Sequence, residues 1–156
     1  MQKTIEIDNR VAVGGQPTSA ELQELAHQGF KTVVNLRTAN EENQPLKPEE
    51  EGKLVEQLGM KYLHIPVSRE DMNQAQVAEF RDQIEHLPAP RYVHCATGRR
   101  AGAFAMMHMA VERGMSGSEV LERAERMGFQ CDNPKLKEFV KNYVDKTAPN
   151  RTAATT

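Results

Sequence analysis

Cys95 lies in the run Arg91-Tyr-Val-His-Cys-Ala-Thr-Gly-Arg-Arg-Ala101, where a short β-prone stretch delivers a thiol into a Gly/Arg turn that opens a long apolar helix. Backbone N–H groups in such a turn, with the positive end of the helix dipole, can hold an oxyanion beside the sulfur and favour its thiolate form. Cys95 is therefore the candidate nucleophile, and the amides of Ala96, Thr97, Gly98, Arg99 and Arg100 are the candidate anion cradle. Arginine adds a planar fork that binds two oxygens at once. Basic residues at a helix N-terminus oppose the macrodipole, so Arg99 and Arg100 together call for a compensating anion. The competing reading of Cys95 is a small buried hydrophobe, which free cysteines often are. Strand alternation points His94 away from Cys95, which suits hydrogen-bonded support of the loop better than direct proton transfer.

Those residues need a scaffold, and the hydrophobic pattern supplies an α/β one. Strand-like runs at Val11–Val13, Lys31–Arg37, Lys61–Val67 and Arg91–His94 alternate with helical segments, which predicts a central sheet of about four or five mostly parallel strands flanked by helices. The first helix carries a capping box from Thr18 to Glu21, apolar Leu22, Leu25 and Ala26, and Gly29 beyond its end. Segments from Pro48 to about Leu58 and from Gln74 to His86 read as surface helices, the former charged on most faces. The helix Arg99–Arg113 is apolar nearly all round and should be buried. Two more follow, one capped by Ser116 with Glu119, the other starting at Asn133-Pro134 and burying Leu136, Phe139, Val140 and Tyr143. A single domain over 1–146 with a frayed tail over 147–156 is expected.

Composition narrows the function. A formal charge of −2 over 156 residues gives no global footprint for nucleic acid or an acidic membrane, so anion binding must be local. The two cysteines, Cys95 and Cys131, have no metal-ligand spacing, and the remaining histidines, His27, His64, His86 and His108, are scattered. No metal, no other cofactor, no nucleic-acid partner and no membrane partner are expected. The first residues lack the apolar core of a signal peptide, so a cytoplasmic location is the expectation. Cys131, with no partner motif near it, reads as packing.

The run His94-Cys95-Ala96-Thr97-Gly98-Arg99-Arg100 resembles the His-Cys-x-x-Gly signature of cysteine-dependent tyrosine and dual-specificity phosphatases. Upstream, Gly14-Gly15-Gln16-Pro17-Thr18, the segment Gly29-Phe30-Lys31-Thr32-Val33-Val34-Asn35-Leu36-Arg37, and Tyr62-Leu63-His64-Ile65-Pro66-Val67 are similar to a bacterial phosphatase-like family whose domain also occurs beside metallo-β-lactamase-fold hydrolase domains. The resemblance covers about residues 8–113. It implies hydrolysis of phosphate monoesters on a protein or small molecule through a thiophosphate intermediate, with Cys95 attacking, Arg100 clamping the phosphoryl group and an upstream Asp protonating the leaving oxygen. Asp71, in the acidic stretch Ser68-Arg69-Glu70-Asp71, is the candidate acid with Glu70 behind it; the alternative is that Asp71 caps the following helix near Asn73. Gln16-Pro17 reads as the turn into the first helix with a place near the site left open, and Arg37 with Glu41-Glu42 as a structural ion pair.

The sequence departs from the phosphatase pattern in one place. Arg100 is five positions after Cys95 where that signature has six, and Ala101 replaces the usual hydroxyl residue, for which Thr97 is the substitute within the turn. A six-residue turn suits a rhodanese-like sulfurtransferase carrying a Cys95 persulfide. A non-catalytic phosphate- or phosphoprotein-binding module is the remaining alternative.

Overall fold

The computed structural model describes residues 4–129 and 133–155, with side chains as far as residue 147. The chain divides into two compact units, Met1–Gly102 and Ala103–Thr156.

The first unit is built on a five-stranded sheet in the order β1-β2-β5-β3-β4, formed by β1 (Ile5–Glu6), β2 (Val11–Gly14), β3 (Thr32–Asn35), β4 (Lys61–His64) and β5 (Arg91–His94). All neighbours run parallel except β1 against β2. β1 was not anticipated, because two residues are too short to display alternation. The register carries the functional consequence. Gly14, His94, Asn35 and His64 lie in one row across β2, β5, β3 and β4. The four parallel strands therefore end together, and the segments leaving them open on one edge, where α/β sheets bind ligands.

Helices α1 (Ser19–His27), α2 (Pro48–Gln57) and α3 (Gln74–Ile84) follow β2, β3 and β4. The Thr18 hydroxyl accepts from the Glu21 N–H while Glu21 reaches back to the Thr18 N–H, as the capping box requires. Leu22 and Leu25 of α1 and Val55 of α2 pack with Ala12, Val33 and Tyr92, which share one face of the sheet by register. Leu22 and Leu25 are fully buried, which contributes about 1.5–3 kcal/mol each relative to exposure.

α2 is less of a surface helix than its charge suggested. Glu51 and Gly52 are buried, and a Cβ on Gly52 would lie 2.8 Å from the Tyr62 ring of β4. That close approach brings α2 down onto the sheet and takes the Glu51 carboxylate inside with it. A charge pattern read along the helix cannot distinguish such a residue from its solvated neighbours.

Helix α4 (Arg99–Arg113) begins at the end of the first unit and continues into the second. Within the second unit, Phe104 to Val111 are buried throughout, as the apolar sequence predicted, and Gly114 (φ 68°) ends the helix. α5 (Gly117–Arg126) is capped by Ser116 with Glu119 in another reciprocal box. It crosses α6 (Pro134–Thr155) closely: the Gly117 N–H donates to Asp145 Oδ1 at 2.7 Å, and a Cβ there would fall 2.7 Å from the Lys141 carbonyl oxygen. Val140, Tyr143 and Val144 are buried on α6, whereas Leu136 and Phe139 are only half-buried. Its backbone stays helical to Thr155, past the Lys146 where the sequence ended the packed region. Cys131 falls outside the described residues.

Candidate active site

β5 delivers His94 into the sheet edge and the chain then turns through Cys95–Gly98 into α4. The turn is possible because Gly98 takes φ +99° and its Cα rests against Gly14 at the end of β2, where a Cβ would sit 3.3 Å from the Gly14 carbonyl carbon. Cys95 is 1 % exposed. Its Sγ accepts from the Gly98 N–H at 3.1 Å and the Ala101 N–H at 3.5 Å. These donors belong to the loop and to the first turn of α4, so the sulfur sits over a helix N-terminus, where negative charge is stabilised. Ala96 is half-buried, Thr97 and Arg99 are exposed, and Gly98 and Arg100 are buried.

Arg100 folds back toward the sulfur. Burial opposes its charge, but the Glu41 carboxylate and Cys95 outweigh that and raise its pKa further above the usual value. Glu41 grips the end of the guanidinium, with Nη1 to Oε2 at 2.7 Å and Nη2 to Oε1 at 2.9 Å, and Nη1 also donates to the Val67 carbonyl at 2.7 Å. Five N–H donors are available on arginine, and these three bonds leave the Nε–H and one Nη2–H, a parallel pair along one edge. Such an edge is what binds two oxygens of a tetrahedral anion. The bond to Val67 also ties the arginine to the start of the Ser68–Asp71 loop.

Glu41 serves a second arginine. Arg37 donates from Nε to Glu41 Oε1 at 2.9 Å, from Nη2 to the Glu42 carbonyl and from Nη1 to Gln16 Oε1 at 2.7 Å. The ion pair expected between Arg37 and the acidic segment is present, but it also holds Arg100, a link across 59 residues of chain that no spacing rule supplies. Burial pushes the Glu41 carboxyl up; hydrogen bonds from Arg100, the Thr38 N–H and Arg37 outweigh it and hold the group down to about 2.

From Gln16 the network continues to the other end of the loop. Gln16 Nε2 donates to the Leu46 carbonyl at 2.8 Å and to Glu51 Oε1 at 3.0 Å. Glu51 Oε2 lies 2.6 Å from His94 Nε2, with both side chains fully buried, and His94 Nδ1 is 3.3 Å from the Cys95 carbonyl oxygen. A circuit of buried side chains and the part-buried Glu41 thus runs from the Cys95 backbone through His94, Glu51, Gln16, Arg37 and Glu41 to Arg100, which returns to the sulfur. His94, expected to support the loop, is placed between the Cys95 carbonyl and Glu51. A place near the site had been left open for Gln16, Glu41 was read only as a structural partner of Arg37, and Glu51 was not singled out. Only Gln16, inside the resembling segment Gly14–Thr18, carried a signal that could have found it.

The Ser68–Asp71 loop is built differently. Its residues Arg69, Glu70 and Asp71 are exposed. The Ser68 hydroxyl donates to Glu70 at 2.8 Å; that bond first, then the Glu70 backbone N–H, with smaller contributions from Arg69 and Arg100, lower the Glu70 pKa. Asp71 does not cap α3: Asn73 does, accepting from the Gln76 N–H at 2.9 Å. The Asp71 carboxylate is accordingly left to solvent. His64 of β4 bonds to the Arg37 carbonyl and is structural. No helix among the described residues is long and apolar enough to cross a membrane.

A parallel-centred sheet whose edge presents a cysteine, a glycine turn and an arginine at a helix N-terminus is the α/β cysteine-phosphatase fold. The chain belongs to the family described as DSP-PTPase phosphatase fused to NAD+ kinase, whose pattern matches residues 2–142. It is 28 % identical over 127 residues to a β-lactamase hydrolase-like protein of Agrobacterium fabrum, and 29 % identical over 128 residues to one of Xylella fastidiosa. In each case the match takes in 81 % of this chain but 30 % of the relative. Among solved structures, Tk-PTP in its active form superposes with a TM-score of 0.76 at 25 % identity, over 92 % of this chain and 96 % of that one. A cysteine-to-serine variant of P. aeruginosa TpbA in complex with pTyr gives 0.71 at 18 %, over 94 % and 90 %, a likeness of fold.

Proposed function

We propose that this chain hydrolyses phosphate monoesters through a covalent cysteinyl intermediate. The Cys95 thiolate attacks phosphorus, forming an S–P bond as the P–O bond to the leaving group breaks, and Asp71 gives its proton to the departing oxygen. Water then attacks phosphorus, the S–P bond breaks, the thiolate leaves and inorganic phosphate is released, with Asp71 recovering a proton from the water. The amides of residues 96–100 and the open edge of Arg100 carry the charge that spreads over the equatorial oxygens. The observation that carries this reading is the coincidence at one sulfur of two N–H donors and an arginine whose far end is already anchored.

The pTyr ligand of the TpbA complex supports a phosphorylated side chain or small aryl phosphate as substrate class. A paired assay on one preparation decides it. Hydrolysis of p-nitrophenyl phosphate, lost in Cys95→Ser, with no thiosulfate:cyanide sulfur transfer, is the expected result. Sulfur transfer without hydrolysis would replace the reading with persulfide chemistry, and binding of tungstate with neither activity would leave an anion-binding module.

A further inference from the structure

The proton count at the buried Glu51–His94 pair fixes an atom of the anion cradle. The Cys95 carbonyl can only accept, so His94 Nδ1 must carry a proton to bond to it. The 2.6 Å contact between Nε2 and Glu51 Oε2 needs a second proton between them, whichever side holds it. Both arrangements leave the pair neutral overall, which is what a fully buried site favours. A neutral His94 protonated only at Nε2, facing a carboxylate, would instead bury a net charge and turn the Nδ1 lone pair on the Cys95 oxygen.

A trans peptide points its C=O and N–H in opposite directions. Holding the Cys95 carbonyl toward His94 therefore turns the Ala96 N–H away from it, toward the loop interior. We propose that Glu51, acting through His94, is a positioning residue that fixes the Cys95–Ala96 peptide plane, and so aims the first amide of the anion cradle beside the thiolate. Gln16 holds the other Glu51 oxygen and keeps the carboxylate from rotating.

The turnover arm of the test rests on the phosphatase reading above; the alkylation arm does not. In the full chain, kcat for p-nitrophenyl phosphate, the tungstate inhibition constant and the rate of iodoacetamide modification at the Cys95 peptide are measured for each variant, with melting temperature reporting the fold. Glu51→Ala and Glu51→Asp, the latter too short to reach Nε2, are expected to lower kcat and slow alkylation about tenfold or more, the scale of a small misplacement at a reacting centre. Glu51→Gln is expected to keep most of both, since its amide can accept from Gln16 and donate to a His94 that retains its Nδ1 proton. In a His94→Ala background, Glu51→Ala should add less than about twofold, because the two act as one unit. If Glu51→Ala does not fold, the contrast between Asp and Gln decides. Additive effects, equal losses in Gln and Asp, or unchanged alkylation in Asp would each overturn the proposal. Alkylation that follows the expected order in a chain with no hydrolysis would uphold the positioning role and remove the phosphatase reading instead.

Discussion

The two loops that meet at Arg100 are built to opposite rules. From Cys95 to Arg100 the sulfur, the glycine and the arginine are buried and held in place by hydrogen bonds, whereas Arg69, Glu70 and Asp71 lie open to water. Binding an anion as charge redistributes demands donors fixed beforehand, because reorganising them during the reaction would cost the energy they are meant to supply. The proposed proton donor would have to approach substrates of different shape and be reprotonated from solvent, which suits an exposed side chain on a short loop.

That contrast predicts a ranking. The largest effect belongs to Cys95→Ser, which should lower p-nitrophenyl phosphate turnover on the order of a thousandfold or more while still binding tungstate. Hydrolysis surviving in the purified variant would end the nucleophile assignment. Arg100→Lys should cost about a hundredfold in kcat, since a point charge cannot reproduce the anchored fork, while the exposed Arg99→Lys should mainly raise KM. The opposite ranking would mean that the roles of the two arginines are exchanged.

On the open loop, Asp71→Asn should lose about a hundredfold with phenyl phosphate, and less with p-nitrophenyl phosphate, whose leaving group needs a proton less. Glu70→Gln should change little, because its carboxylate is tied to Ser68 and held in its ionised form. If Glu70→Gln were the damaging one, the acid is Glu70 and the loop turns on binding.

The smallest expected effect is that of acid on the clasp between the two arginines. With the Glu41 carboxyl depressed from its ordinary 4.5 to about 2, its contribution is complete above the ordinary value and fades only as pH falls toward about 2. Sulfate affinity measured by calorimetry should therefore show no loss from this group between about pH 7 and pH 5. Glu41→Gln, by contrast, should weaken it at every pH in that range. A steep fall in wild-type affinity across that range, absent in the variant, would show that the clasp is not held as the geometry indicates.

The legibility of the two loops differs for the same physical reason. Strand, turn and helix around Cys95 are encoded by neighbours, so Arg91 to Ala101 announced its own structure, and α4 began where the apolar pattern placed it. The mostly parallel sheet was also accessible, since strands alternating with helices leave few topologies open. Glu51 was not, because its burial depends on Gly52 admitting the Tyr62 ring, a contact between α2 and β4 that no local pattern records. Glu41 was read with its neighbour Arg37 and not with Arg100, for the same lack of local signal. Asp71 was read as either a cap or the acid, and local sequence did not show that Asn73, two residues on, is the residue that caps α3.

Exposure alternates along the loop: Thr97 and Arg99 face outward, whereas Gly98 and Arg100 are enclosed. For anyone randomising this segment to retarget the site, the two classes divide the library in advance. Variants at 97 and 99 can be sampled broadly, because their exposed side chains leave the buried circuit untouched. Position 98 should return glycine under any selection, since its backbone conformation and the Gly14 contact disfavour every side chain. On the proposed reading, substrate preference would be free to drift at two surface positions while the anion cradle stays locked to the end of a strand.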